Sequence, residues 1–469
     1  MTAFYISAAH KSSGKTMVSI GLSRTFRKKG LNVQTFKKGP DYIDPLWLAR
    51  ASRQNCHNLD FYTSSHRYIQ SDFASRAATA DAIIVEGNKG LFDGVALDGS
   101  DSNAAMSKLL DLPVVLVIDA SGITRGIAPL LHGYENFDKS INIAGVILNK
   151  VAGSRHLSKL TNAVETYTDF KILGAIEKHE DFHLPERHLG LIPQNELGAD
   201  AEKFIETLAE SINQQVNIGQ LLNLQKPQNK ITRLDPYPEQ KSYNLRIAVA
   251  MDASFGFYYA SDLEEFEKLG VEIVPFNSLQ EPVLPENIDG LFIGGGFPET
   301  NLEAFSKNQS LLKDIKIQIE NGLPTYAECG GLMVLCRSIE FKNKRWPMVD
   351  LIPADVKMHT KPQGRGYIEV AATKKHPWLN TATKIKAHEF HYSSLENIDP
   401  HFTYAYKVNR GHGVDGINDG IVLYNCLASY SHLRQTDLCH WVNLFVDFVA
   451  RVKISHNNDN YHSKRCQTN

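Results

Sequence analysis

Phe4-Tyr5-Ile6-Ser7-Ala8-Ala9-His10-Lys11-Ser12-Ser13-Gly14-Lys15-Thr16 runs from an apolar strand pattern into a glycine-lysine-threonine turn, and MVSIGLSRTFRKKG continues from it with helical spacing. Strand, loop, Gly-Lys-Thr and helix in that order read as a phosphate-binding loop. Ser13 and Gly14 let backbone N–H groups approach a phosphate, Lys15 sets a positive charge on it, and Thr16 offers a hydroxyl to Mg2+. The helix N-terminus adds its partial positive charge. Ala9 stands where the usual pattern has its first glycine, which is compatible if that position needs no positive φ.

Working outward, apolar runs recur at Asn32–Phe36, Ala82–Glu86, Val114–Asp119, Ile143–Lys150, Lys171–Ile176 and Leu189–Pro193, alternating with helical stretches. That alternation predicts a parallel sheet flanked by helices. Several of these strands end in chemistry. After the second come Lys37, Lys38, Asp41, Tyr42 and Asp44, a set suited to Mg2+ and a polyanionic substrate; a solvated turn built on Pro40 and Pro45 is the alternative. Glu86, closing a buried strand, is a candidate second Mg2+ ligand beside Thr16 and Asp41, with Asp93 following in EGNKGLFDG. Asn149 closes another strand, where an amide can read a nucleobase edge or simply end the strand.

The chain turns polar from 212 to 244, the expected linker between a first domain over 1–211 and a second over 245–452. A new alternating series begins at Arg246–Asp252 and runs through Val271–Phe276, Gly290–Gly294, Pro324–Glu328, Gly366–Ala371 and Ile421–Ala428. In PTYAECGGLMVL a strand turns sharply through small residues into a helix, which lifts Cys329 to the sheet edge and points it at a helix N-terminus, where a thiol's pKa falls. A thiol nucleophile needs a base, and His432 in ASYSHL follows an apolar strand far downstream, the expected arrangement. Gly295 and Gly296 in GGGFPE expose backbone N–H groups for an oxyanion hole. Cys336, read as lying on the helix after Cys329, together with Cys426 and Cys439, fits core packing. His388 and His391, three apart, lack the spacing of a helical zinc motif.

At 469 residues the chain holds two or three domains, and 50 Lys+Arg against 52 Asp+Glu leave no basic field for nucleic acid or an anionic membrane. No apolar run approaches the roughly 20 residues of a bilayer span, and the N-terminus lacks a secretory pattern, so the expectation is a cytoplasmic protein. The six cysteines show no CxxC pair, which fits a reducing compartment. The tail 453–469 is expected to be disordered, with Cys466 idle.

The ordered set SSGKT, KKGPDYIDP, EGxxGLFDG, VVLVIDASG, GGGFPE, AECGGLMVL, HEFHYS and ASYxHL resembles the cobyrinic acid a,c-diamide synthase family over about residues 3–450. The resemblance implies a P-loop, dethiobiotin-synthetase-like parallel-sheet domain joined to a class I, triad-type glutamine amidotransferase α/β domain. It also implies Mg2+ and ATP, glutamine, a polycarboxylate tetrapyrrole as acceptor, no tightly bound prosthetic group, and room for a homodimer. Cys329 would attack glutamine, His432 would move protons, and ATP would phosphorylate an acetate that ammonia then converts to an amide. Asp41, Tyr42, Asp44 and Asp93 match positions that handle the substrate or its phosphorylated intermediate. Many triad amidotransferases carry a Glu two residues after the histidine; here that residue is Arg434, and the resemblance implies a family that generally lacks this third member, so the expectation is a Cys-His dyad with another orienter. AHKSSGKT and EGNKGLFDG look more like the branch associated with dissimilatory sulfite reductase, which favours sirohaem as acceptor over a corrinoid. A nucleotide-switched partitioning ATPase accounts for the first domain alone, and His10 stands where such switches place a second lysine.

Overall fold

The computed structural model describes residues 1–179, 182, 186–187, 190–224 and 241–466. The chain divides into two compact units, Met1–Asp235 and Pro236–Asn469.

In the first unit, β1 (Thr2–Ala8), β2 (Val33–Lys38), β3 (Cys56–Leu59), β4 (Ala82–Glu86), β5 (Val114–Asp119), β6 (Ile143–Val151) and β7 (Ile172–Glu177) form one sheet in the order 3-2-4-1-5-6-7. Every pairing in it is parallel, and strands such as Ala82–Glu86 are buried throughout, which is why they read as continuous apolar runs. Chain order reverses around β1, so the crevice beyond its C-terminal end is where such a sheet receives a ligand. Helix α1 (Lys15–Lys28) leaves that point and packs on the helix Ala199–Gln215, with Arg24 buried between them and paired with Glu202 and Glu206.

Two expectations for this unit are corrected. The run Leu189–Pro193 gives no strand of the parallel sheet: Gly190–Leu191 pairs antiparallel with Glu186–Arg187, and Leu189 lies outside the described residues. Its place is taken by the edge strand β3, too short and too polar (CHNL) to show a period. The polar stretch from 212 also begins too early for a linker, because Ile212, Val216, Ile218 and Leu221 are buried in the core of this unit. Residues 225–240 lie outside the described residues.

The second unit is built on a nine-stranded sheet. Val271–Phe276, Leu245–Ala250, Gly290–Ile293, Thr325–Glu328 and Cys426–Ser429 run parallel, and Asn418–Leu423, Thr403–Arg410, Gly364–Ala372 and Lys384–His391 continue it antiparallel. The run read as one strand over Ile421–Ala428 is thus a hairpin, turning at Tyr424 with φ 53°. Cys336 opens the strand Cys336–Phe341 of a separate four-stranded sheet instead of continuing the helix, which ends at Leu335. The last helix, Trp441–Cys466, carries on through the tail expected to be disordered; no glycine or proline interrupts it.

Aromatic packing fastens that helix to the sheet. Tyr326 and Phe292 stack at 5.5 Å, and Trp441 lies 4.9 Å from Tyr326 while its Nε1–H donates to Asp262 at 3.0 Å. Trp441→Ala removes a fully buried ring and leaves Asp262 short of a donor, and should cost about 3–5 kcal/mol. Chemical denaturation followed by far-UV circular dichroism should show the transition assigned to the second unit move to lower denaturant while the other stays.

Candidate active site

The residues singled out in the first unit gather at the C-terminal edge of its sheet, because parallel pairing places successive strand ends side by side. Glu86 pairs in register with both Ile6 of β1 and Lys37 of β2. Gly14 turns the loop into α1 with φ 92°, and a Cβ there would lie 2.1 Å from the Asn149 amide nitrogen, so only glycine fits. Asn149 Nδ2 in turn donates to Ser13 O at 2.8 Å, which fixes the loop to the end of β6. Ala9 does not take a positive φ, so the missing first glycine costs nothing. Ser13 is buried and donates to His10 O at 2.8 Å.

Lys15 Nζ donates to Lys89 O at 2.6 Å. Burial and the neighbouring Lys37 lower its pKa to about 8. A bound phosphate needs the protonated amine, so nucleotide affinity should be level below pH 8 and fall as pH rises beyond it. Calorimetric titration of ATP across that range checks the sign.

Lys37 Nζ sits between Asp44 Oδ2 at 2.5 Å and Glu86 Oε1 at 2.6 Å, and Thr16 Oγ1 donates to Glu86 Oε1 at 2.8 Å. Burial opposes the Lys37 charge, but Asp44, Glu86 and Asp41 hold it protonated, well above the ordinary lysine value. Glu86 Oε2 is buried without a hydrogen-bond partner. No cage of three His, Cys, Asp or Glu side chains occurs among the described residues. A hydroxyl and one or two carboxylates are nevertheless what Mg2+ takes from a protein when phosphates and waters complete its shell, so the residues present fit the ion. The expected ligand Asp41 has its Oδ1 accepting from the backbone N–H of Ile43 and Asp44 at 3.0 and 3.1 Å, which starts helix α2 (Ile43–Ser52), and its Oδ2 3.9 Å from Lys37 Nζ. Asp44, on the first turn of α2, is the carboxylate that lies at 3.3 Å from Thr16 Oγ1. Tyr42 is buried at the start of α2, and Asp93 accepts from Gly90 N at 2.8 Å.

In the second unit, Cys329 joins the strand Thr325–Glu328 to the helix Gly330–Leu335 with φ 48° and ψ −99°, the strained turn of a nucleophile elbow. The small residues after it are required: a Cβ on Gly331 would lie 2.2 Å from Ile293 O. His432 follows the neighbouring strand Cys426–Ser429 and is close enough to Cys329 for the sulfur to raise its pKa, while Cys329 Sγ itself donates to Phe390 O at 3.7 Å. The His432 ring stacks on His388 at 4.7 Å, and the His432 backbone N–H donates to His388 O at 2.8 Å. Gly295 is pressed against this ring, since a Cβ there would meet His432 Cε1 at 2.6 Å, and Gly296 lies beside Gly330. The candidate nucleophile, candidate base and candidate oxyanion glycines therefore converge. His391 does not share this role; it stacks on Tyr430 at 3.8 Å.

One group escaped sequence reasoning. His432 Nδ1 lies 3.5 Å from Glu328 Oε2, a carboxylate immediately before the cysteine. Burial pushes the His432 imidazolium down, yet its hydrogen bonds with Cys329 and Glu328, and their charges, hold it up at about 10. The available signal was negative: Arg434 at the position where a triad has its acid.

No helix among the described residues is long and apolar enough to cross a membrane. Residues 6–192 match the CobQ/CobB/MinD/ParA nucleotide binding domain, and residues 246–436 match the CobB/CobQ-like glutamine amidotransferase domain. The chain is 41% identical to a cobyrinate a,c-diamide synthase of Magnetococcus marinus, with 95% of this chain and 96% of that one covered. It is 38% identical to one of Caldanaerobacter subterraneus subsp. tengcongensis over 95% of this chain and 97% of that one. With a synthase of Synechocystis sp. it shares 36% over 93% and 90%. A nucleotide-binding unit and a glutamine amidotransferase unit on one chain, matched along nearly its whole length, place this protein in the cobyrinate a,c-diamide synthase family of glutamine-hydrolysing, ATP-dependent carbon–nitrogen ligases.

Proposed function

We propose that the protein amidates the a and c acetate groups of cobyrinate, using glutamine-derived ammonia and an acyl-phosphate intermediate. The observation that carries this reading is the pairing on one chain of a phosphate loop, ringed by Lys37, Asp44 and Glu86, with a thiol elbow facing His432. The activity printed for the relatives supports the choice of acceptor.

A carboxylate is a poor electrophile at neutral pH, and transfer of the γ-phosphoryl group of ATP turns one of its oxygens into a leaving group. Mg2+, held by Thr16, Glu86 and Asp44, would neutralise phosphate charge during that transfer. Lys15 steadies the same phosphates, and Lys37 keeps the two carboxylates close together before nucleotide arrives. Ammonia adds to the acyl phosphate, the C–O bond to phosphate breaks, and an amide and inorganic phosphate result. Two rounds give the diamide.

Free neutral ammonia is scarce near pH 7, so it is made from glutamine. Cys329 Sγ attacks the side-chain amide carbonyl, the N–H groups around Gly295 and Gly296 stabilise the oxyanion, and His432 gives a proton to the departing ammonia. Water then cleaves the thioester to glutamate. The products of incubation with Mg·ATP, glutamine and either cobyrinic acid or sirohaem, read by mass spectrometry, test the acceptor. Diamidation of cobyrinic acid is expected. Amidation of sirohaem in preference to it would replace this reading with the second one, which Asn88 and Lys89 in EGNKG favour.

A further inference from the structure

We propose that Glu328 is the missing third member of the cysteine-histidine site: its carboxylate orients His432 and keeps a proton on Nδ1, acting from the residue before the nucleophile. This rests on the proposed attack of Cys329 on glutamine. At the position two residues beyond the histidine stands Arg434, whose guanidinium lies 5.2 Å over the Tyr259 ring, so no acid is available there.

The sheet supplies one from a different strand. Thr325–Glu328 and Cys426–Ser429 are parallel neighbours with Glu328 opposite Ser429, which brings the carboxylate beside the turn that carries His432. Glu328 Oε1 accepts from Tyr326 Oη at 2.6 Å and from Leu433 N at 2.9 Å. Those two bonds hold the carboxylate from its own strand and from the segment after Cys426–Ser429 that carries His432. Oε2 is left for the imidazole, 3.5 Å from Nδ1, with both side chains buried. That spacing is at the long limit of a hydrogen bond.

The other buried acids and bases around the ring are committed elsewhere. Asp262 accepts from Gln435 N and Trp441 Nε1 at 2.9 and 3.0 Å, Asp419 from the N–H groups of Tyr430 and Ser431 at 3.0 and 2.9 Å, and Glu389 from those of His412 and Gly413 at 2.7 and 2.8 Å. His388, stacked on His432, lies with Nδ1 3.1 Å from Tyr259 Oη. Burial, with His432 and Arg434 nearby, keeps His388 neutral. With Glu328 holding the proton on His432 Nδ1, the Nε2–H of the imidazolium is the one left to protonate departing ammonia, the role the proposed attack of Cys329 gives it.

The test is Glu328→Gln in the full chain, which keeps shape and removes charge. Glutamine hydrolysis should lose about 10²–10⁴-fold in kcat with KM for glutamine moved by less than about threefold. The basic limb of the pH profile should shift to lower pH, because the imidazolium has lost its anion. Glu328→Asp should recover part of the kcat. A kcat for Glu328→Gln within about threefold of the parent overturns the proposal. Cys329→Ala run alongside separates the two claims: if it still hydrolyses glutamine, the nucleophile reading fails, whereas if it is dead and Glu328→Gln is active, only the Glu328 role fails. Should Glu328→Gln not fold, the parent decides: with heavy-nitrogen-labelled histidine, His432 Nδ1 should carry a low-field, hydrogen-bonded proton in the nuclear magnetic resonance spectrum. An unprotonated Nδ1 overturns the proposal.

Discussion

Cys329→Ala should abolish amidation supported by glutamine while amidation supported by added ammonia persists. The sulfur is the only atom at the elbow able to form the thioester, and loss of a nucleophile from a site that acts as a unit costs roughly 10³-fold or more. Alanine removes one atom from a buried turn whose backbone is held by Cys329 N donating to Ser429 O at 2.7 Å, so the elbow itself should survive. The loop, Lys15 and the carboxylates of the first unit belong to a separate sheet and are untouched. The check is product formed per unit time with each nitrogen source at saturating ATP. Equal loss with both sources would mean that Cys329 serves the ligase chemistry, and undiminished glutamine use would remove it from the mechanism.

Lys15→Ala should give the complementary pattern: no product with either nitrogen source, because both routes require the activated carboxylate. Lys15 is the lysine of the Gly-Lys-Thr turn, and its loss removes a preorganised charge worth about 10²–10³-fold in a site of this kind. Its removal also frees Lys89 O, the acceptor that Lys15 Nζ holds at 2.6 Å, so the loop after β4 should loosen as well. Glutamine hydrolysis, measured as glutamate released, is the control. A variant that ligates ammonia at the parental rate would show that the loop takes no part in activating the acceptor.

Local order was readable from the sequence wherever function and fold use neighbouring residues. The phosphate loop, Glu86 at a strand end and the cysteine elbow each rest on a strand that stops and a turn that follows, and all three occur in the structure as such. What depends on pairing across the sheet was not readable. Asp41 and Asp44 are equivalent in sequence, and only the start of α2 decides that Asp41 Oδ1 accepts from two backbone N–H groups while Asp44 reaches Thr16. Glu328 reaches His432 through the register of two strands about a hundred residues apart. Short polar strands such as Cys56–Leu59 gain their place from edge pairing with β2 and carry no period of their own. The polar segment after Ala209 packs because Ile212, Val216, Ile218 and Leu221 recur within it, a sparse stripe among Gln and Asn.

The central claim is that ATP activates an acetate oxygen and glutamine supplies the nitrogen that replaces it. Cobyrinic acid carrying heavy oxygen in its acetate carboxylates, incubated with Mg·ATP and glutamine heavy-labelled at its amide nitrogen, tests both halves at once. The account predicts heavy oxygen in the released inorganic phosphate and heavy nitrogen in the a and c amides. Inorganic phosphate free of heavy oxygen, in a reaction that forms the amide, would contradict it.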